Sequence, residues 1–269
     1  MQKEIELARV VKQKEIAAQI FDLVLDAPSV AKDAVAGQFV AVYCKHAGKL
    51  LPRPISLCGI DRKKGTLRLV YRVTGEDTGT EEFSRLQEGD TIKIMGPLGN
   101  GFTVIPGKKA LLIGGGIGVP PMLQLAKDIK SGCARGLDGQ SVDMTIVMGY
   151  RNRETFLLEE FKEQSESLVA TEDGSVGTRG NVLDVLSSYG LEDGVIYACG
   201  PTPMLRALKK YAAEHDMECF ISMEERMACG IGACLACVCK SVEKDGHTNV
   251  NNKRICKEGP VFAAREVEL

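Results

Sequence analysis

The chain predicts an antiparallel β-barrel, then a parallel α/β sheet, then a small cysteine-rich module. Three observations carry this expectation. Residues 1 to about 104 break into short apolar runs separated by turn residues, as the strands of a small barrel do. From about Gly107, strand-like and helix-like stretches alternate, the pattern of a parallel sheet covered on both faces. From about Cys219 the periodicity is weak, Cys and Gly dominate, and the segment is too small to bury a core without a bound constraint. The expected division is therefore 1–104, 105–217 and 218–269.

In the first segment, strands are expected at Val10–Val11, Ile20–Leu25, Gln38–Tyr43, Ile55–Ile60, Leu67–Val73 and Thr91–Met95. Pro28, Gly37, Gly48, Gly65, Gly75 and Gly89–Asp90 supply the turns. Thr80 to Leu86 reads as one short helix with Thr80 as its N-cap. In the second segment, strands are expected at Ala110–Ile113, Met144–Met148, Leu168–Ala170 and Val195–Ala198. Helices are expected at Pro120–Lys130, Leu157–Glu163, Val182–Ser188 and Thr202–His215, the last with Met204, Leu205, Leu208 and Tyr211 on one face.

Composition excludes several roles. A net charge of −2 attracts neither nucleic acid nor an anionic membrane. Trp is absent and aromatics make up 5%, which argues against a base-stacking surface. Met1 to Val10 has neither the apolar core of a signal peptide nor the bias of a transit peptide. The longest uncharged run, Ala110 to Ala126, is short for a bilayer span and interrupted by Gly and Pro. A cytoplasmic location is expected, so the ten Cys should stay reduced rather than form a disulfide framework.

Four of those Cys, at 229, 234, 237 and 239, fall within eleven residues. Cys229, Cys234 and Cys237 form C-x4-C-x2-C, and Cys256 follows downstream; this is the plant-type 2Fe–2S spacing. A tight loop would place three sulfurs and a distant turn the fourth. Gly230 and Gly232 would let the backbone approach and aim N–H groups at sulfur. Structural zinc also takes four thiolates, but it favours paired C-x2-C knuckles, and one such pair is present. In an extended segment Cys239 points the same way as Cys237 and is a possible substitute ligand. Cys44, Cys58, Cys133 and Cys219 read as buried small hydrophobes.

Three further motifs suggest ligand contacts. Gly114-Gly115-Gly116-Ile117-Gly118-Val119-Pro120-Pro121 follows a strand and opens a helix, a setting for a pyrophosphate. It reads GxGxxP over Gly116, Gly118 and Pro121 rather than GxGxxG, so a plain strand–helix turn is the alternative. Cys199-Gly200-Pro201 lies at the carboxyl end of an expected strand, where open α/β sheets bind ligands. Arg53-Pro54-Ile55-Ser56 offers a guanidinium for phosphate and a hydroxyl able to face a ring nitrogen. Arg72 and Gly79-Thr80 follow as further phosphate candidates. No Ser-His-Asp set, HExxH or paired carboxylate motif stands out, and His46, His215 and His247 have no evident partner.

Together these motifs resemble the ferredoxin reductase superfamily, in which an R-x-x-S barrel precedes a nicotinamide-binding domain with GxGxxP and CGP turns. The stretches RPIS, YR, GT, GGGIGVPP, CGP and MEERMACGIGACLACVC are similar to those of the electron-transfer subunits of type B dihydroorotate dehydrogenases, across essentially the whole chain. The resemblance implies FAD held by Arg53, Pro54, Ile55, Ser56, Val70, Tyr71, Arg72, Gly79 and Thr80. It implies NAD(H) at Gly115, Gly116, Gly118, Pro121, Cys199, Gly200 and Pro201, and a 2Fe–2S cluster on Cys229, Cys234, Cys237 and Cys256. Ser56 is expected beside flavin N5 and Cys199 beside the nicotinamide. The implied partner is an FMN-containing dihydroorotate dehydrogenase catalytic subunit, in an assembly of two plus two. One departure is Gly75 to Thr80, slightly longer than the family's usual loop before its G-T pair. An alternative within the same architecture is the flavin and iron–sulfur subunit of an NAD(P)H:ferredoxin oxidoreductase or of a sulfhydrogenase. Arg151 and Arg153 could meet a 2′-phosphate, which keeps NADPH open.

Overall fold

The computed structural model describes residues 3–244 and 249–269, and its first six strands close into a barrel. They are β1 (Glu4–Ala17), β2 (Ile20–Asp26), β3 (Phe39–Val42), β4 (Arg53–Asp61), β5 (Thr66–Arg72) and β6 (Thr91–Leu98), with a short α1 (Pro28–Asp33) between β2 and β3 and α2 (Gly79–Ser84) between β5 and β6. The order around the barrel is β1-β2-β5-β4-β3-β6. Alternation along each strand decides what lies inside. Leu23 and Leu25 of β2, Leu67, Leu69 and Tyr71 of β5, and Ile92 and Ile94 of β6 share one buried cluster. Two local readings are corrected here. Pro28 does not make a plain turn but starts α1, where a missing N–H costs nothing. Thr78, not Thr80, caps α2: its hydroxyl accepts the Glu81 N–H at 3.2 Å, and its extended backbone suits the cap position.

The second sheet contains β7 (Ala110–Gly115), β8 (Met144–Tyr150), β9 (Glu166–Thr171), β10 (Thr178–Arg179), β11 (Val195–Cys199) and β12 (Glu218–Ser222). The helices are α3 (Val119–Lys130), α4 (Leu158–Lys162), α5 (Val182–Ser188) and α6 (Thr202–Glu214). With β15 (Val261–Ala263) from the end of the chain, the strand order is β10-β9-β8-β7-β11-β12-β15, parallel except for the last pair. Along β7, Ala110 and Leu112 face the core under α3 and α4, whereas Leu111 and Ile113 face the core under α5 and α6. Pro120 and Pro121 occupy the first turn of α3, where proline is tolerated. Asn181 and Asp184 cap α5 reciprocally.

The final segment adds a hairpin, β13 (Val238–Lys240) with β14 (Asn252–Arg254), and then β15 (Val261–Ala263). The parallel sheet thus continues past residue 217, because β12 pairs with β11 and β15 pairs with β12. The module has little core of its own. Cys237, Cys239, Ile255 and Cys256 are buried with Phe39, Ala41, Met95 and Leu98 of the barrel and Ile221 and Phe262 of the sheet. A Cβ on Gly230 would lie 2.8 Å from the Met95 methyl, so the cysteine loop rests directly on β6.

The barrel and the sheet are joined by polar contacts as well. Arg68 of β5 forks onto Asp22 of β2 at 2.8 and 3.0 Å and onto Glu160 of α4 at 2.7 and 2.8 Å. Gln124 of α3 accepts the Ile60 N–H of β4 at 2.7 Å. Among the described residues, no helix is long and apolar enough to cross a membrane.

Candidate functional site

The strand order reverses between β7 and β11: successive strands run outward from β7 to one side and from β11 to the other. Such a switch point leaves a crevice at the carboxyl ends of the strands. The Gly-rich turn after β7 and the Cys199-Gly200-Pro201 turn after β11 meet there. A Cβ on Gly118 would lie 2.3 Å from the Cys199 carbonyl oxygen and 2.5 Å from the Gly200 nitrogen. A Cβ on Gly115 would lie 2.5 Å from the Met204 sulfur. Gly116 has φ +54°, a left-handed conformation that favours glycine. Gly118 is thus required by close backbone packing and Gly116 by its left-handed conformation.

The crevice has a volume of about 660 Å³ and is lined by Gly115, Gly116, Gly118, Gly200, Pro201 and, from the barrel, Arg72. Arg151 and Asn152 line it too; Arg153 does not. A second cavity of about 620 Å³ opens on the barrel side, between Arg53, Pro54 and Ser56 and the segment Ser222 to Met227. Both volumes fall within the range of small-molecule and cofactor sites. Glu224 lines both, so the two spaces adjoin. Glu224 is accessible from the crevice yet crowded by protein. Desolvation raises its carboxyl pKa, and the Arg72 guanidinium opposes the rise.

Several other expected contact residues do not offer side chains to these cavities. Tyr71 lies in the barrel core, stacked on Phe21, with its hydroxyl donating to Gln13 at 2.9 Å. Val70 is buried where the barrel meets α3, and Ile55 packs against the barrel core. Pro121 is sealed in α3. Thr80 is buried, and its hydroxyl lies 3.2 Å from both the Thr74 N–H and the Thr78 hydroxyl. Gly79 sits under the Arg53 side chain, whose Nε would be 2.8 Å from a Cβ there. Cys199 is buried, its thiol pKa pushed up to about 12 by desolvation and the Glu224 charge, with a Ser222 hydrogen bond opposing. What Cys199 presents to the Gly-rich turn is its backbone.

The cysteine loop is built around one sulfur. Cys229 Sγ accepts N–H groups from Ile231, Ala233 and Cys234 at 3.4, 3.3 and 3.4 Å. Gly230 and Gly232, at φ +67° and +85°, turn the backbone so that these donors converge. Slight desolvation would raise the Cys229 pKa, but these donors and Cys234 outweigh it and bring it down to about 6. Cys256 is pushed up to about 12, first by burial and then by its hydrogen bond with Cys237, with Cys229 within electrostatic reach. Cys234 is thus within hydrogen-bond reach of Cys229, and Cys237 within reach of Cys256. Cys237 and Cys256 are buried, whereas Cys234 is exposed. Cys239 turns instead to the Lys253 carbonyl at 3.5 Å, and burial raises its pKa. Among the described residues, no three Cys, His, Asp or Glu side chains gather as a lone metal ion would need.

Of the other Cys, Cys58 and Cys219 are buried as expected, but Cys44, in a loop at the edge of the barrel core, is half-buried, and Cys133, in a loop after α3, is exposed. His46 Nδ1 accepts the Gly48 N–H, and His215 packs on Tyr211; His247 lies outside the described residues. Glu224, which lines both cavities, is a residue to which the sequence motifs assigned no role. It belongs to a distinctive stretch, but nothing in its neighbours discloses that two cavities meet there.

Comparison with known proteins places each part of this geometry. Residues 7–102 match a family model for the oxidoreductase FAD-binding domain and residues 112–210 one for the oxidoreductase NAD-binding domain. Residues 224–268 match the iron–sulfur cluster binding domain of dihydroorotate dehydrogenase B. The chain is 44% identical over 97% of its length to the dihydroorotate dehydrogenase B (NAD(+)) electron transfer subunit of Listeria monocytogenes serotype 4a (strain HCC23), covering 98% of that protein. It is 43% identical to the subunit of the same name from Geobacillus sp. (strain WCH70), covering 98% of both chains. Among solved structures, one reported for flavin-based electron bifurcation by the NADH-dependent reduced ferredoxin-NADP oxidoreductase superposes with a TM-score of 0.84 at 31% identity, over 98% of this chain and 90% of that one.

Proposed function

Because the chain belongs to the family of dihydroorotate dehydrogenase B electron transfer subunits, we propose that it passes electrons between NAD(H), FAD and a 2Fe–2S cluster, to or from an FMN-containing catalytic subunit that interconverts dihydroorotate and orotate in pyrimidine biosynthesis. It carries an FAD-binding, an NAD-binding and an iron–sulfur cluster-binding domain, and it is an NADH-linked oxidoreductase subunit. The division at about residue 104 is part of the proposal; the one expected at 217 moves past Ser222, because β12 still pairs with β11 in the parallel sheet. A cytoplasmic location and an assembly of two plus two are also part of the proposal.

The single observation that carries the reading is the sharing of Glu224 by the barrel-side cavity and the nucleotide crevice, on the segment that runs into the cysteine loop. One flavin between the two spaces would exchange hydride with nicotinamide and single electrons with a cluster, which is the conversion this chain needs. Arg53, over Gly79, would neutralise the FAD phosphates, and Ser56, on the same cavity, would offer its hydroxyl to the flavin ring. Gly115, Gly116 and Gly118 would admit the dinucleotide backbone, and Gly200 and Pro201 would wall the nicotinamide end. Cys199, buried with its thiol pKa raised by desolvation, would support that wall through its backbone against Gly118.

The residues of the cysteine loop suit two irons. A 2Fe–2S cluster asks two thiolates of each iron, and C-x4-C-x2-C with Cys256 downstream is the plant-type spacing, whereas structural zinc favours paired C-x2-C knuckles. Ile231, Ala233 and Cys234 N–H groups would then stabilise charge on the Cys229 sulfur.

The test is anaerobic purification followed by flavin, iron and sulfide analysis. FAD with iron and sulfide in equal amounts is expected, and NADH should bleach the visible spectrum. Protein with flavin but no iron would overturn the cluster assignment. The likeness to the bifurcating oxidoreductase favours a second reading, a ferredoxin-linked subunit. Arg151 in the crevice leaves room for NADPH in that case. Efficient reduction by NADPH, or copurification with a ferredoxin-reducing protein in place of an FMN protein, would favour it.

A further inference from the structure

The peptide unit joining Gly232 to Ala233 has a protein partner at each end. Arg254 Nη1 donates to the Gly232 carbonyl at 3.0 Å, and the Ala233 N–H donates to Cys229 Sγ at 3.3 Å. A trans peptide is planar, with its C=O and N–H pointing in opposite directions. Whatever holds the oxygen therefore aims the N–H. A cation at the oxygen also polarises the unit and makes the N–H a stronger donor.

Arg254 is itself held on every side. Its Nε lies 3.1 and 2.9 Å from the two Glu258 carboxylate oxygens, and its Nη2 also donates to Glu258. Its backbone N–H donates to Glu258 at 2.7 Å. Its carbonyl accepts from Lys257, Glu258 and Gly259 at 3.1, 2.8 and 3.2 Å. In β14 it pairs with Val238, and the next residue, Ile255, donates to the Cys237 carbonyl at 2.9 Å. The side chain thus reaches the loop between Cys229 and Cys234, while the backbone is fixed to the segments carrying Cys237 and Cys256.

We infer that Arg254 is a positioning residue for the cluster: by holding the Gly232–Ala233 peptide, it keeps the Ala233 N–H on Cys229 Sγ and so holds the cluster's reduction potential up. N–H···S hydrogen bonds stabilise the more negative, reduced cluster, and they are among the terms that set its potential. The inference rests on the proposed ligation by Cys229, Cys234, Cys237 and Cys256. The donors from Ile231 and Cys234 lie on other peptides of the loop, so removing Arg254 should weaken the cage rather than abolish it.

The experiment compares the full chain, prepared anaerobically, with Arg254→Gln and Arg254→Lys. Redox titration followed by electron paramagnetic resonance reads the cluster, and amide hydrogen exchange reads Ala233. R254Q is expected to keep its FAD while the reduced cluster loses about tenfold in relative stability, a fall of about 59 mV for a one-electron couple. Ala233 exchange should quicken by a similar factor. R254K, with the charge but not the fork, should recover part of both changes. Wild-type potential together with wild-type Ala233 exchange in R254Q would overturn the inference. Should R254Q lose its iron, Glu258→Gln serves in its place, leaving Arg254 present but unclamped; a smaller fall is expected, and an unchanged potential and exchange would again be decisive against it. If the wild-type protein holds no cluster, the proposed function fails, while Ala233 exchange still reports on the clamp.

Discussion

Cys229 is the residue at which local chemistry is most sharply defined. Three N–H groups stabilise its thiolate, so its pKa is held near 6, below the ordinary thiol value. The linkage follows from that direction. A depressed pKa contributes stability above the unfolded value of about 8.5, and the contribution is lost as pH falls through the folded value. In cluster-free protein, alkylation of Cys229 should reach half its plateau rate close to pH 6. A midpoint at about 8.5 would show that the cage is absent in solution. Cys58, Cys199 and Cys219, all pushed up to about 12 by burial, should remain unmodified in the folded protein over the same range. Cys256→Ser tests the distal ligand: FAD should remain while most iron and sulfide are lost. The proposed ligand set could be drawn from spacing because three of its members lie in one short loop, whose geometry is local. Glu224 could not, because its importance comes from two cavities meeting.

At the scale of elements, caps and tight turns are where one atom matters. Thr78→Ala removes the α2 cap and should lower stability by about 1 kcal/mol, measurable as an earlier urea midpoint. Thr80→Ala removes a hydroxyl from the Thr74–Thr78 turn but leaves that cap in place, so it separates the two roles. Sequence alone favours Thr80 because it stands first in the apolar helical pattern; a shift of two residues is invisible without the chain's direction on entering the helix. Gly118→Ala puts a methyl group into the Cys199 carbonyl, and overpacking of this kind costs about 1–3 kcal/mol. The expected outcome is a higher KM for NADH with FAD content unchanged. An unaltered KM would mean that the two turns can separate without disturbing the nucleotide site.

For the whole molecule, what matters is that barrel, sheet and module share cores. Arg68 holds Asp22 and Glu160 across the barrel–sheet boundary, and Asp22 is 8% exposed. Removing the arginine would strand that carboxylate. Arg68→Met should therefore cost about 2–3 kcal/mol, less than a fully buried pair because Glu160 remains partly solvated. It should also slow flavin reduction by NADH, since the two ligand sites lose a fixed separation. Rapid-mixing measurement of flavin bleaching checks this, and a wild-type rate would assign the network to stability alone. The isolated chain should oxidise NADH with artificial acceptors and leave dihydroorotate untouched. Steady dihydroorotate oxidation without a partner would contradict the proposed division of labour.

Periodicity and spacing are properties of neighbours along the chain, so barrel strands, the strand–helix alternation, the Gly-rich turn and the C-x4-C-x2-C loop were all readable from the residues in order. Folding alone brought Gly118 against Cys199, set Glu224 between two cavities, and carried β15 back to the sheet as its seventh strand. It also turned Tyr71 inward to Gln13 and placed Arg254 on the carbonyl of Gly232. Each of these depends on distance between residues far apart in sequence, and such distances are fixed by how packed surfaces meet, a term that no local pattern contains.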